Sequence, residues 1–257
     1  MRAKDILKEI KSSKKYASLS DEIILEEIKE YIKSNPDYEL YKDKKILKDV
    51  KGLLHDRYGR FQTTKKNKRE KALAEGDIVG ILKTNRSTKE RLNDYDWLYD
   101  KIFEITGNPK VIVDLGGGIN ACSYRFMKVR ARYLSYDIDE KDKDFLNRFF
   151  KKNKINGEAE VKDISKIGNI KKLPKADVCF MFKIIDPLEK GKGHKLSEEI
   201  INALKCKFIV ISFAVQTLSG KKMRYAYRGW FEKMLKRNGF RYKKLEGNSE
   251  VYYVVGK

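Results

Sequence analysis

The residues best suited to chemistry in this chain lie together in one short stretch, VIVDLGGGINA at 111–121. A run of apolar β-formers ends on Asp114 and passes almost directly into Gly116, Gly117 and Gly118. Glycines at the end of a strand let a ligand approach the backbone and let φ turn positive at no steric cost. The stretch satisfies GxGxx(G/A), and Asp137 follows Gly118 by 19 residues. A carboxylate at that distance, at the carboxyl end of the next strand, can accept hydrogen bonds from both hydroxyls of a ribose. By itself the loop suits a dinucleotide and S-adenosylmethionine equally. No GK(S/T) follows the glycines, so a P-loop is excluded.

Other chemistry is thinly supplied. Cys122, Cys179 and Cys206 are widely spaced and odd in number, which argues against a disulfide framework and a CxxC metal knuckle. Cys122 and Cys179 fall in segments that read as buried, where thiols stay inert. With only His55 and His194, neither a His-rich metal site nor a Ser-His-Asp relay is expected. Lys183 ends the fourth expected strand, and ligands of such folds gather at the carboxyl ends of strands.

The elements that must hold these residues change style along the chain. The first 80 or so residues show helical spacing. In DEIILEEIKEYI, Ile23, Ile24, Ile28, Tyr31 and Ile32 share a face, Ser20 is placed as N-cap, and Asn35-Pro36 stops the helix. A second helix is predicted through KKILKDVKGLLHDRYGRF, closed by Gly59, and residues 63–72 open a third helix or a basic loop. Beyond residue 95, strands are predicted near 111–115, 133–137, 159–162, 178–182, 208–213, 240–245 and 251–255, the last two joined by a Gly247-Asn248 turn. That order gives an α/β protein with an open, mostly parallel seven-stranded sheet ending in an antiparallel hairpin. The expected domains are a helical amino-terminal subdomain, 1–92, and a Rossmann-like domain, 93–257.

Three features favour the methyl donor over a dinucleotide. The sheet ends in a hairpin instead of continuing into a substrate domain. Asp163 follows the third strand, where a polar residue can meet the adenine amino group. The third feature is charge: 58 Lys and Arg stand against 37 Asp and Glu, a net +21, which suits a nucleic-acid substrate. Two stretches concentrate that surplus. One is 65–71, with Lys65, Lys66, Lys68 and Arg69. The other is 221–244, where Lys221, Lys222, Arg224 and Arg228 open a run interleaved with Tyr225, Tyr227 and Trp230. In the acidic run YDIDEKDKD, Asp137 is assigned to the ribose and Asp139 to solvent. The first 25 residues lack a signal-peptide h-region, and a cytoplasmic monomer is expected.

Taken in order, the motifs resemble a family, the aminoglycoside-resistance methyltransferases that modify guanine N7 in 16S ribosomal RNA. The resemblance runs through SKKY at 13–16, LLHDRYGRF at 53–61, STKERL at 87–92, DLGGGIN at 114–120, YDID at 136–139 and DFLN at 144–147. It continues through FKIIDPLEKGKG at 182–193, SFAVQTLSGKKM at 212–223 and YxxxFE at 227–232. It implies a class I methyltransferase fold, S-adenosylmethionine as cofactor, and ribosomal RNA of the 30S subunit as partner. By position, Arg91 matches the partner of the cofactor carboxylate. Asp114, Gly116, Gly118, Asp137, Ile138, Asp163 and Ile164 match the cofactor pocket, and Lys183 and Glu189 match the pair facing the target base. The chain departs from the family pattern at Ala214 and Gln216, where a proline and an arginine are usual, and at Asn120-Ala121, where Asn-Pro is usual. The rival readings are methylation of another RNA, an NAD-dependent oxidoreductase and a non-catalytic RNA-binding protein.

Overall fold

The computed structural model describes residues 3–59, 66–189, 194–217, 221, 223 and 228–257, with the side chains of residues 57, 59 and 66 left aside. The chain divides into two compact units, residues 1–62 with 138–141, and residues 63–137 with 142–257.

The first unit is built from α1 (Ala3–Lys11), α2 (Asp21–Ser34) and α3 (Asp43–Leu54). The Ser20 side chain accepts a hydrogen bond from the Ile23 amide, and Asn35 ends α2 with its amide bonded to the Ile32 carbonyl. These are the start and stop that the sequence signals. Ile23, Ile24, Ile28 and Tyr31 of α2 are buried in one cluster with Ile46, Val50 and Leu54 of α3. The helix expected to reach Gly59 stops at Leu54 and finishes as a π-helical turn, His55–Gly59, with Tyr58 buried in the same cluster. Asp139 is not the solvated acid the sequence suggests. It is buried and accepts hydrogen bonds from Ser18 Oγ at 2.8 Å and from the Tyr58 hydroxyl. A carboxylate can be buried only with such donors.

The second unit opens with α4 (Lys66–Glu75), α5 (Ile78–Leu82), α6 (Arg86–Glu90) and α7 (Tyr95–Thr106). Residues 63–92, grouped by the sequence reading with the amino-terminal subdomain, cluster with this unit. The sheet and its connections follow as β1 (Val111–Leu115), β2 (Arg132–Asp137), α8 (Glu140–Lys152), β3 (Gly157–Val161) and α9 (Ile167–Lys171). They continue as β4 (Ala176–Phe182), α10 (Ile185–Leu188), α11 (Lys195–Ala203), β5 (Cys206–Ala214), α12 (Gly229–Arg237), β6 (Arg241–Glu246) and β7 (Glu250–Gly256).

The seven strands stand in the order β3-β2-β1-β4-β5-β7-β6. The first five are parallel, and β7 runs antiparallel to both β5 and β6. Side chains alternate across a strand, so each face of the sheet can bury its own core. Ile112, Tyr133, Val178, Phe180 and Val210 pack with α5, α7 and α8 residues on one face; Val113, Leu134, Cys179, Met181 and Ile211 pack with α11 and α12 residues on the other. Each such Val, Leu, Ile or Phe contributes roughly 1.5–3 kcal/mol when fully buried. The winding direction reverses between β1 and β4. Ligands of open α/β sheets bind at the carboxyl ends of the strands flanking that reversal. No helix among the described residues is long and apolar enough to cross a membrane.

Candidate active site

Two strand ends make the floor of the site, β1 with its glycine loop and β4 with Lys183. Gly116 and Gly118 have φ of +64° and +53°, the left-handed region where a side chain is strained. Gly117 is required for a different reason: a Cβ there would lie 2.3–2.6 Å from the carboxyl atoms of Asp114. The loop is laced to the end of β2. The Gly116 amide donates to the Tyr136 carbonyl at 2.7 Å, and the Gly118 amide donates to Asp137 Oδ2 at 2.8 Å. Asp137 therefore stands beside the glycines, as its spacing predicts.

Asp114 lies beneath the loop. Fully buried, it accepts hydrogen bonds from the Tyr133 hydroxyl and from Asn120 Nδ2, while its Oδ1 has no hydrogen-bond partner among the described residues. Burial pushes its carboxyl above the usual range, against the pull of the Tyr133 and Asn120 donors. The acid props the loop from below through Asn120.

Asn120 Oδ1 in turn accepts from Arg91 Nη1 at 2.9 Å and from the Tyr95 hydroxyl at 3.2 Å. The Arg91 guanidinium is 1% exposed and forked onto Glu250, with Nε to Oε1 at 3.0 Å and Nη2 to Oε2 at 3.2 Å. Desolvation works against its charge, yet Glu250 together with Tyr95, Tyr252 and Tyr99 outweighs that cost and holds the guanidinium well above its ordinary pKa. Each of its three nitrogens has a protein acceptor. Glu250 also accepts from Ser212 Oγ and lies 3.3 Å from Lys183 Nζ.

Lys183 sits in the left-handed region, φ +56°, with its amide donating to Ser212. Its ammonium reaches Glu90 Oε2 at 2.6 Å. Burial alone would raise Glu90, but hydrogen bonds from Lys183 and Arg86 prevail and hold it below the ordinary carboxylate range. Two cations, Arg91 and Lys183, thus face two anions, Glu250 and Glu90, in one connected network between the glycine loop and the end of β4.

That network sits in a sheet of known kind. A family model described as ribosomal RNA methyltransferase (FmrO) matches residues 48–254. The chain belongs to that family. It is 32% identical over 188 residues to a 16S rRNA (guanine(1405)-N(7))-methyltransferase of Proteus mirabilis, over 69% of this chain and 64% of that protein. A protein of the same description from Frankia casuarinae is 28% identical over 182 residues, covering 69% of this chain and 63% of its own length. The matched region spans just under two thirds of these curated relatives. In fold the chain is similar to the 16S rRNA methyltransferase RmtF, solved in complex with S-adenosyl-L-homocysteine. The TM-score is 0.84 at 23% identity, covering 100% of this chain and 98% of that one.

The remaining residues singled out by sequence fall into three groups. Asp163 is buried near the end of β3, its Oδ1 accepting from the Ser165 amide and hydroxyl at 2.9 and 2.6 Å, and Ile164 is buried in the sheet core beside it. Ile138, partly buried, packs against the apolar cluster of the first unit. Glu189 accepts from the Ser197 amide at 2.8 Å and from its hydroxyl, binding the first turn of α11.

Of the expected RNA contacts, Lys68 and Lys221 are exposed. Arg69 is not a surface residue: at 2% exposure it donates to Asp142 Oδ1 at 2.6 Å and to Thr84 Oγ1, inside the core. Arg228 is largely covered, donates to Asp186 at 2.9 Å and lies over the Phe213 ring. Phe231 is a core residue, and Trp230 stacks on His194 at 3.6 Å. Lys65, Lys222, Arg224, Tyr225 and Tyr227 lie outside the described residues, as does the Lys66 side chain.

Sequence reasoning missed Glu250, Ser212 and Glu90. The available signal was Glu250 itself, an acid placed at the mouth of the otherwise apolar strand EVYYVV. A charge on such a strand needs a buried partner.

Proposed function

We propose that this chain transfers a methyl group from S-adenosylmethionine to N7 of a guanine in 16S ribosomal RNA, acting on the 30S subunit as a cytoplasmic monomer. Family membership carries the reading, and the guanine-N7 activity in the names of its relatives supplies the atom. The residues at the switch point fit the cofactor. Gly116 and Gly118 hold the left-handed turns of the loop, and Asp137 lies within hydrogen-bond distance of the Gly118 amide at the strand end where a ribose would sit.

S-adenosylmethionine, when bound, supplies an electrophilic methyl on a sulfonium. Guanine N7 has a lone pair and no proton, so the protein's task is alignment, with no general base needed. In this reading Asp137 accepts from the ribose hydroxyls, while Asp163 and Ile164 border the adenine. Asp114 and Arg91 hold Asn120, and with it the loop. Lys183 donates to O6 of guanine, and Glu189, released from Ser197, accepts from N1 and N2. Extruding the base from its stack costs a few kcal/mol, which such contacts offset. Residues 1–92 grip ribosomal RNA, and Lys65, Lys66, Lys68, Lys221, Lys222 and Arg224 neutralise phosphates.

Incubating purified 30S subunits, free 16S RNA and tRNA with labelled methyl donor, and locating the label by mass spectrometry, tests the reading. Label at a guanine N7 of 16S RNA is expected. Label confined to tRNA would overturn the substrate, and calorimetry showing NAD bound in preference to S-adenosylmethionine would overturn the cofactor.

A further inference from the structure

At the opposite end of the sheet, where β1, β2 and β3 begin, the second unit carries a cleft of about 760 Å³. Lys110, Arg125, Arg130, Arg132 and Lys154 line it, without any aspartate or glutamate. Tyr124, Val129 and Ile155, half-buried, give it an apolar floor. Only Arg132 meets a carboxylate, Glu158 at 3.4 Å; among the described residues Lys110, Arg125, Arg130 and Lys154 form no ion pair. The glycine loop lies a full strand away, about 16 Å for five residues at ~3.3 Å each, so the cleft is separate from the candidate active site.

The positions of these cations follow from the sheet. The Arg132 amide donates to the Lys110 carbonyl at 2.8 Å, and the Tyr133 amide donates to the Asn156 carbonyl at 2.9 Å, which puts Lys110, Arg132 and the segment after Lys154 on three adjacent strand starts. Adjacent strands are ~4.8 Å apart, so the row extends about 10 Å and offers charge to more than one phosphate. Lys154 itself closes α8 with φ +53°, a position where glycine or asparagine is usual. A lysine there accepts backbone strain and points to a use for its charge.

We infer that this cleft is a second RNA contact, seating the phosphodiester backbone of a ribosomal RNA strand away from the methylated base. The inference rests on the substrate being ribosomal RNA. It fits the chemistry of a cation cluster over an apolar floor, four of its five members without an ion pair among the described residues, since phosphates take the charges and ribose or base edges take the apolar surface.

The test is the salt dependence of 30S-subunit and 16S RNA binding by the full chain and by the double variant Arg130→Gln, Lys154→Asn. Asparagine tolerates the left-handed backbone at position 154, so folding is retained. A double control, Lys172→Gln, Lys175→Gln, removes equal charge from another exposed stretch. Loss of two phosphate contacts lowers the slope of log K against log salt by about 1.4 for single-stranded RNA, with S-adenosylmethionine affinity by calorimetry unchanged. A slope equal to wild type, or an equal drop in the control pair, overturns the cleft. A free nucleotide bound in the cleft with the RNA slope unaltered likewise overturns it in favour of a small-ligand site. A reduced slope in a protein that methylates no 16S RNA would fault the substrate reading while keeping the cleft as an RNA contact.

Discussion

Arg91 and Glu250, 159 residues apart in sequence, form a buried, forked ion pair, with the two side chains 1% and 0% exposed. The pair joins the segment ahead of the sheet to its last strand. Through Asn120 on one side and Lys183 on the other, it ties the glycine loop to the end of β4. Removing one partner of a buried pair strands a charge, at a cost of roughly 3–5 kcal/mol. Glu250→Ala is expected to lose about that much in urea unfolding, and Glu250→Gln less. Replacing both residues, Arg91→Met with Glu250→Leu, should recover much of the loss. A double variant less stable than either single one would contradict the picture.

Gly117→Ala should weaken S-adenosylmethionine binding at least about tenfold, because its Cβ would press on the Asp114 carboxyl and drive the loop off Asp137. Gly168→Ala is the internal comparison, since no atom lies within 4 Å of a Cβ built there. Calorimetry should find that second variant indistinguishable from wild type.

Asp137→Ala is expected to abolish cofactor binding, whereas Lys183→Ala should bind cofactor normally and lower turnover by about tenfold or more. Equal loss of cofactor affinity in both variants would remove Lys183 from the substrate side.

Glu90 sets an acid limit. Its carboxyl titrates below the ordinary value of about 4.3 because Lys183 and Arg86 favour its charged form. A group depressed in the folded state contributes stability that is fully present above its unfolded pKa and is lost as pH falls through the folded one. Stability should therefore decline below about pH 4.3, and Glu90→Gln should make that decline shallower in pH-dependent unfolding.

Arg69→Ala and Lys68→Ala should separate neighbours in sequence by role. The first breaks a buried pair with Asp142 and is expected to cost about 3 kcal/mol or more with no change in the salt slope of RNA binding. The second, exposed, should leave stability intact and reduce that slope by about 0.7–0.9.

Much of this was legible in the sequence because it is local. The glycine loop, Ser20 and Asn35-Pro36 act on their immediate neighbours, and strand periodicity marks the seven strands to within a few residues. The position of Asp137 beside Gly118 also follows from spacing, since consecutive parallel strands must end side by side. Asp139 and Arg69 were misjudged because their partners, Ser18 and Asp142, are chosen by tertiary packing. Glu250 was missed for the same reason: its side-chain partners, Arg91, Lys183 and Ser212, come from three separated segments. A charge pattern shows that a charge exists, and only the fold shows whether water can reach it.

The buried carboxylate of Asp139 has a consequence for modular exchange within the family. The chain leaves the amino-terminal unit, builds α4 to α7 and the first two strands, and returns with residues 138–141, which run into α8. That unit is therefore discontinuous in the gene. Grafting residues 1–62 from one member onto the sheet of another would separate Ser18 and Tyr58 from the acid they were selected to bind, unless the short segment after β2 travels with them.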